Sequence, residues 1–386
     1  MKTISELDKT LCYGCRACEQ ACPKHCISII PDAYGFNIPQ INSKDCIECS
    51  ICVKSCPRIQ YKEPTNIPTV YAIKHKNNKV RYYSSSGAAF TALSDAIIDL
   101  GGYIAGCFFN SNSQRVEFKL TNNKAERDLM RGSKYVQADT SNIYSKIKEK
   151  LISNNYVLFV GTPCQCEGLK TFLKKAYERL LIVDILCHSA PSPLILSETL
   201  KQFTHVDQII MRDKENGWRG SSGMKIWHNG IQSLDYKYMT LFYKGLINRD
   251  SCATCQFTKT NRCSDITIGD YWKINQIKPE FEDDLGVSLL ITNTEKGRKL
   301  FQSIMPNIFY VETEMNACKQ FCMQRPTRPS SKKSKFWKDF HSKGYDYVAK
   351  KYGYKTWKDT FISDILAPII RKIGISNIIR KFYSLK

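Results

Sequence analysis

Residues 12–23 read CYGCRACEQACP and residues 46–57 read CIECSICVKSCP. Both are C-x2-C-x2-C-x3-C with a proline directly behind the fourth cysteine, the one clear internal repeat in the chain. Three thiolates at this spacing can wrap one face of a metal–sulfur cube while the intervening backbone amides point at its sulfurs. The proline then turns the chain away, so that the fourth cysteine of each run reaches the other cube.

This is the spacing of bacterial two-cluster ferredoxins. It predicts one [4Fe-4S] cluster on Cys12, Cys15, Cys18 and Cys56 and a second on Cys46, Cys49, Cys52 and Cys22. Paired CxxC units also hold zinc, but zinc sites rarely use two such runs, each trailed by a proline. Cys26 stands where such modules carry a small residue and reads as buried filler. Residues 58–69 (RIQYKEPTNIPT) hold two prolines and no apolar period, which marks a linker.

The whole chain has 386 residues, 18 cysteines and a net charge of +21, with 42% hydrophobic and 11% aromatic residues. That composition excludes a disordered protein, and no apolar run approaches the roughly 18 residues of a membrane span. The opening MKTISELDKT lacks the basic start and apolar stretch of a secretory signal, so a cytoplasmic chain with reduced thiols is expected. Its cysteines then call for metal or redox chemistry rather than disulfides. The positive charge points to an acidic partner.

From Val70 onward the pattern changes. Strands are predicted at 70–75, 102–109, 156–161, 180–187, 265–270 and 287–292, with helices over 88–100, after Pro163 and after Ser192. Alternating strands and helices predict an α/β body with a mixed sheet. No G-x-G-x-x-G follows a strand, and there is no P-loop or H-E-x-x-H motif. The turn Ser84–Gly87 offers hydroxyls and free amides to a phosphate, or simply caps a helix. Cys164 and Cys187 each follow a predicted strand, where ligands gather in α/β sheets. With the C-x2-C at Cys252 and Cys255 they make a possible four-thiolate set, which spacing alone leaves open.

The segments RYYSSSGAAFTAL, RGSKYVQAD, VLFVGTPCQCEGLK, VDILCHSAPSP, NGWRGSS and CATCQFTKTNRCSDITIGDYW occur in this order. Together they resemble the beta subunit family of coenzyme F420 hydrogenase/dehydrogenase over about residues 70–325, in its bacterial branch with a fused N-terminal dicluster ferredoxin. The resemblance implies FAD and a third [4Fe-4S] cluster, with Cys164, Cys187, Cys252 and Cys255 at the matching positions and Cys263 left out. It implies flavin contacts from Ser85, Ser86, Gly87, Gly132, Ser133, Lys134 and Tyr135, with Thr162 beside them. Lys134 and Arg219 become candidates to balance an anion, and His188 a candidate to move a proton. Ala88, Ser189 and Lys273 depart from the family pattern, each standing where glycine is usual.

The expected architecture is α+β. It comprises a two-cluster ferredoxin-like domain (1–60), a linker (61–69), a FAD- and iron–sulfur-binding α/β flavoprotein body with a mixed sheet (70–325) and a basic helical C-terminal tail (326–386). The implied function is an oxidoreductase passing electrons between ferredoxin-type clusters and a two-electron substrate through FAD. The substrate is a deazaflavin coenzyme or, as the alternative, a sugar or lipid-linked intermediate of polysaccharide biosynthesis reduced at the expense of ferredoxin or a similar redox partner protein. A non-enzymatic iron–sulfur protein on nucleic acid is disfavoured, because no nucleic-acid motif accompanies the charge. Residues 328–386 hold 15 Lys or Arg against 4 Asp or Glu. Their apolar positions from Ile365 to Phe382 read as an amphipathic helix that docks on the body, or that makes peripheral contact with an anionic membrane.

Overall fold

A computed structural model describes residues 1–220 and 223–354. In each cysteine repeat a short helix, Ala17–Gln20 or Ile51–Lys54, carries the third cysteine. Between the repeats runs the antiparallel hairpin β1 (Ile27–Pro31) and β2 (Asn37–Ile41).

The remaining strands are β3 (Thr69–His75), β4 (Tyr103–Asn110), β5 (Arg115–Thr121), β6 (Val157–Gly161), β7 (Leu180–Ile185), β8 (Gln208–Ile210), β9 (Met224–His228), β10 (Ile231–Asp235), β11 (Ile266–Asp270), β12 (Ser288–Thr292) and β13 (Ile308–Thr313). Eight of them form one sheet in the order β13-β3-β12-β11-β7-β6-β4-β5. Strands β4, β6, β7 and β11 are mutually parallel. Strand β12 opposes both β11 and β3, so β3 runs with the parallel set. Their five carboxyl ends therefore share one edge of the sheet, where α/β folds place ligands.

The central strands are buried on both faces, which is why VLFVG and SLLIT read as unbroken apolar runs. One face packs Leu93 and Ile97 of helix Ala89–Asp99 and Leu300, Phe301 and Ile304 of helix Glu295–Ile304 against Ile104, Leu158 and Val183. The other packs Ile143 and Ile147 of helix Ile143–Ile152 and Leu169 and Phe172 of helix Pro163–Leu173 against Val157, Phe159 and Ile182. The α+β class with a mixed sheet is what the chain builds, and all six predicted strands lie in this sheet.

Strands β5 and β13, which take its two edges, and the small sheet β10-β9-β8 were not among the predicted elements. The small sheet has its own core, shared with helices Pro193–Leu200, Lys237–Tyr243 and Lys333–Tyr352. The last of these docks through buried Phe336, Trp337 and Val348. The apolar–basic segment 365–382 lies outside the described residues. Among the described residues no helix is long and apolar enough to cross a membrane.

Candidate functional site

Each repeat bends through left-handed backbone at equivalent positions. Gly14 (φ 65°) and Arg16 (φ 60°) in the first match Glu48 (φ 50°) and Ser50 (φ 60°) in the second. This alternation turns successive amides inward, as anion-binding nests do, and the Gly14 N–H lies 3.3 Å from the Cys12 sulfur. Cys15 neighbours Cys56, Cys18 and Cys12, and Cys18 neighbours Cys12, Cys56 and Cys52. Cys22, Cys46, Cys49 and Cys52 line a second cavity, together with Cys26.

In the body, Thr162 caps helix Pro163–Leu173 in a capping box with Gln165, and this starts the helix directly behind β6 and fixes Cys164. Cys187 follows β7, and a 3-10 turn at Asp250–Thr254 presents Cys252. Cys187 has Cys252, Cys164 and Cys255 as its charged neighbours, and Cys164 has Cys255 and Cys252. Three distant segments therefore converge. Buried Arg262 closes the loop behind Cys255: it donates to the Phe257 carbonyl at 2.7 Å and pairs with fully buried Asp184 at 3.1 Å. Cys263 stands apart, with its thiol toward the Pro163 carbonyl at 3.7 Å.

The donor sets suit iron–sulfur chemistry. Burial pushes the thiol of Cys164 up to about 12 and those of Cys56 and Cys252 up to about 11, with Cys15, Cys18 and Cys187 well above the ordinary range. Four neighbouring thiolates become stable there only around a cationic centre. Among the described residues no group of three or more His, Cys, Asp or Glu side chains is placed to hold a metal ion directly. A cubane holds its thiolates farther apart, on separate irons.

A cleft of about 480 Å³ opens beside the body thiols. Its walls include His188, Tyr135, the parallel rings of Trp218 and Trp272 (centroids 4.9 Å apart) and Arg212, Arg219 and Arg328. Arg212 pairs with Asp270 at the carboxyl end of β11 and stacks on Trp272 at 4.5 Å, while Arg219 pairs with Glu282 at 2.7 Å. Burial lowers the His188 pKa, which favours its neutral ring.

Of the implied flavin residues, Tyr135 lines this cleft. Ser85 and Ser133 meet hydroxyl to hydroxyl at 3.0 Å, and Ser86 donates to the Val287 carbonyl at 2.7 Å. A Cβ on Gly87 would meet the Ile73 carbonyl oxygen at 2.3 Å, whereas one on Gly132 (φ 80°) would meet nothing. Lys134 is half-buried, its pKa drawn down to about 8 by desolvation, and its ammonium donates to the Leu129 and Arg131 carbonyls at 3.1 and 2.7 Å. It closes a turn rather than facing the cleft. Thr162 makes its contacts at the body thiols, 3.2 Å from the Cys164 sulfur, rather than in the serine turn. Sequence reasoning missed the cation–aromatic wall of Arg212, Trp218, Asp270 and Trp272. The nearest signals are the motifs NGWRGSS and DITIGDYW, which carry the family likeness but do not disclose that their side chains meet.

The two thiol regions touch. The Tyr13 hydroxyl, next to Cys12, donates to Gln256, next to Cys255, at 3.1 Å and accepts from Arg58 at 2.9 Å. Arg58 also donates to the Thr254 carbonyl at 2.7 Å. Arg249 binds the Cys12 and Asn37 carbonyls at 2.6 and 2.9 Å and the Gln137 side chain at 2.7 Å. A Cβ on Gly168 would lie 3.0 Å from the Cys15 sulfur, so glycine lets Cys15 approach the Cys164 helix.

Residues 11–58 match the family described as 4Fe-4S dicluster domain, and residues 154–317 match the family described by the C terminus of the coenzyme F420 hydrogenase/dehydrogenase beta subunit. No curated protein matches the chain. Among solved structures, a chain of the F420-reducing [NiFe] hydrogenase complex from Methanosarcina barkeri is 13% identical, with a TM-score of 0.47, over 75% of this chain and 94% of that one. The chain is thus similar over residues 11–58 to a 4Fe-4S dicluster domain and over residues 154–317 to the C-terminal domain of the coenzyme F420 hydrogenase/dehydrogenase beta subunit family, the likeness of an iron–sulfur oxidoreductase.

Proposed function

We propose that the chain is an iron–sulfur flavoprotein. FAD sits against the cleft, a third [4Fe-4S] cluster is held by Cys164, Cys187, Cys252 and Cys255, and two more are held by the N-terminal repeats in the crossed pattern. A bound flavin exchanges electron pairs with a small molecule and single electrons with clusters. The observation that carries this reading is continuity: His188 joins the cleft wall to Cys187, and Tyr13 joins Cys255 to Cys12 through Gln256.

The side chains have separate tasks. Arg212, Arg219 and Arg328 give the cleft a positive lining for an anionic ligand, and the stacked tryptophans offer a flat wall to a planar one. A deazaflavin coenzyme with an acidic tail has both properties. Neutral His188 can accept a proton at the cleft floor.

Protein purified without oxygen is expected to hold about twelve irons and one flavin per chain. Cys187→Ser is expected to hold about eight irons. Flavin-free protein, or full iron in the Cys187 variant, overturns the reading.

A further inference from the structure

The walls of the cleft carry Arg212, Arg219, Lys244 and Arg328. The first three are engaged inside the protein. Arg212 pairs with Asp270, which the Trp218 indole N–H also reaches at 3.2 Å. Arg219 grips both oxygens of Glu282, at 2.7 and 3.0 Å, and donates to the Trp272 carbonyl at 2.9 Å. Lys244 donates to the Tyr352 and Tyr354 carbonyls. Arg328 differs. It is exposed, and among the described residues no hydrogen bond or ion pair holds its guanidinium. Its backbone is nonetheless fixed. Cys322 and Met323 are buried just upstream, and the Thr327 hydroxyl donates to the His188 carbonyl at 2.6 Å. Downstream, the Ser330 N–H returns to the Gly245 carbonyl at 3.5 Å, and Lys333 donates to the Asn248 carbonyl at 2.6 Å. Pro326 and Pro329 lock their own φ on either side. Residues 326–330 thus form a strap along the rim that presents one uncommitted guanidinium beside His188.

We propose that Arg328 reads the acidic group, a phosphate or carboxylate, of the small molecule that exchanges electron pairs in the cleft. The proposal rests on the reading that the cleft takes a planar substrate beside a flavin. A guanidinium offers parallel N–H donors that match either acid. Arg328 can give them to a ligand without leaving a partner, whereas Arg212 and Arg219 would strand Asp270 and Glu282 as unpaired carboxylates. A strap already tied at several points also loses little chain entropy when its side chain takes up a ligand. The rim is where a substrate must pass on every cycle, while a flavin stays in place through turnover. The strap lies beyond residues 154–317, so this contact belongs to the chain outside the matched domain.

The test uses the full chain, purified without oxygen, and two probes: deazariboflavin, which is planar and uncharged, and its phosphate ester. Binding is read as quenching of tryptophan fluorescence, since Trp218 and Trp272 stand in the cleft wall. Wild type is expected to bind the phosphate ester about tenfold or more tighter than the neutral probe, with the preference shrinking as salt rises. Arg328→Gln is expected to lose the preference by weakening the phosphate ester alone. Arg328→Lys, which keeps the charge without the fork, is expected to retain part of it. Flavin and iron content are expected to match wild type in both variants. A preference that survives in Arg328→Gln overturns the proposal, as does wild type that binds both probes equally. An equal loss for both probes marks a structural role, and loss of flavin assigns the arginine to the cofactor; either result also overturns it. Flavin-loaded wild type that binds neither probe removes the proposal while leaving the flavoprotein reading standing, and flavin-free wild type overturns that reading as well.

Discussion

His75 ends β3 with its Nδ1 accepting the Asn77 N–H at 3.0 Å, a bond that only the unprotonated nitrogen can accept. Burial lowers its pKa below the ordinary value in the same direction. The folded chain therefore binds fewer protons here than the unfolded chain. The neutral ring's contribution to stability is complete above about pH 6.5 and is lost as pH falls through the folded pKa. The thermal midpoint is expected to drop between about pH 7 and pH 5.5, and His75→Gln, which retains an acceptor, is expected to flatten that slope. An unchanged slope in the variant rejects this assignment. At this scale the sequence was most legible where chemistry dictates spacing. The eight cysteines of the repeats declare themselves because a cubane needs their intervals, and Cys164 and Cys187 because they stand at strand ends. The approach of Cys26 to Cys22 was not legible, because it depends on left-handed His25, which no spacing reveals.

Among elements, the turn from Ser84 to Gly87 sits against β3 and β12 more tightly than its serines suggest. A methyl group on Gly87 would lie 2.3 Å from the Ile73 carbonyl oxygen and 2.6 Å from the Ser288 nitrogen, both backbone atoms of a buried sheet. Neither can yield cheaply. Gly87→Ala is expected to destabilise the body by about 1–3 kcal/mol, read as a lowered denaturation midpoint with iron content unchanged. The six predicted strands were legible because central strands covered on both faces become solid apolar runs. Strand β5 (RVEFKLT) was not, because as an edge strand it alternates apolar and charged residues and resembles a solvated loop, and the other edge strand, β13 (IFYVET), leaves Phe309 and Tyr310 exposed. The small sheet hid for a similar reason: β10 is largely exposed and β8 has three residues.

At the scale of the whole molecule, the seam between the cysteine repeats and the body is held by cations. Arg249 is 5% exposed, stacks on Phe36 at 5.1 Å and donates to two carbonyls of the N-terminal segment. Losing one charge-assisted bond costs about 1.5–3 kcal/mol, which enlarges the open population roughly tenfold or more. Arg249→Met is expected to speed protease cutting between residues 61 and 69 by about that factor, since cleavage tracks the open population. Unchanged cutting would place the hold elsewhere in the seam. The cleft was the least legible feature of all. Its walls come from residues 135, 188, 212–219, 242–248, 270–272 and 321–330, and no window of sequence contains it.

The hairpin between the repeats shows how early and late parts of the chain depend on each other. At its tip Gly35 (φ 79°) leaves no room for a side chain, since a Cβ would lie 2.2 Å from that of Leu194. Beside it the Tyr34 ring packs on Trp337 at 4.7 Å, and the Tyr34 carbonyl accepts from Ser192. Domains fold in the order in which the ribosome releases them, so the cysteine repeats emerge first, while Trp337 and His341, which pack on Tyr34, emerge some three hundred residues later. The hairpin tip must therefore wait for its aromatic partners after Arg249 has already met the Cys12 and Asn37 carbonyls. A chain cut short before Trp337 would leave the hairpin tip without the rings that Tyr34 packs against.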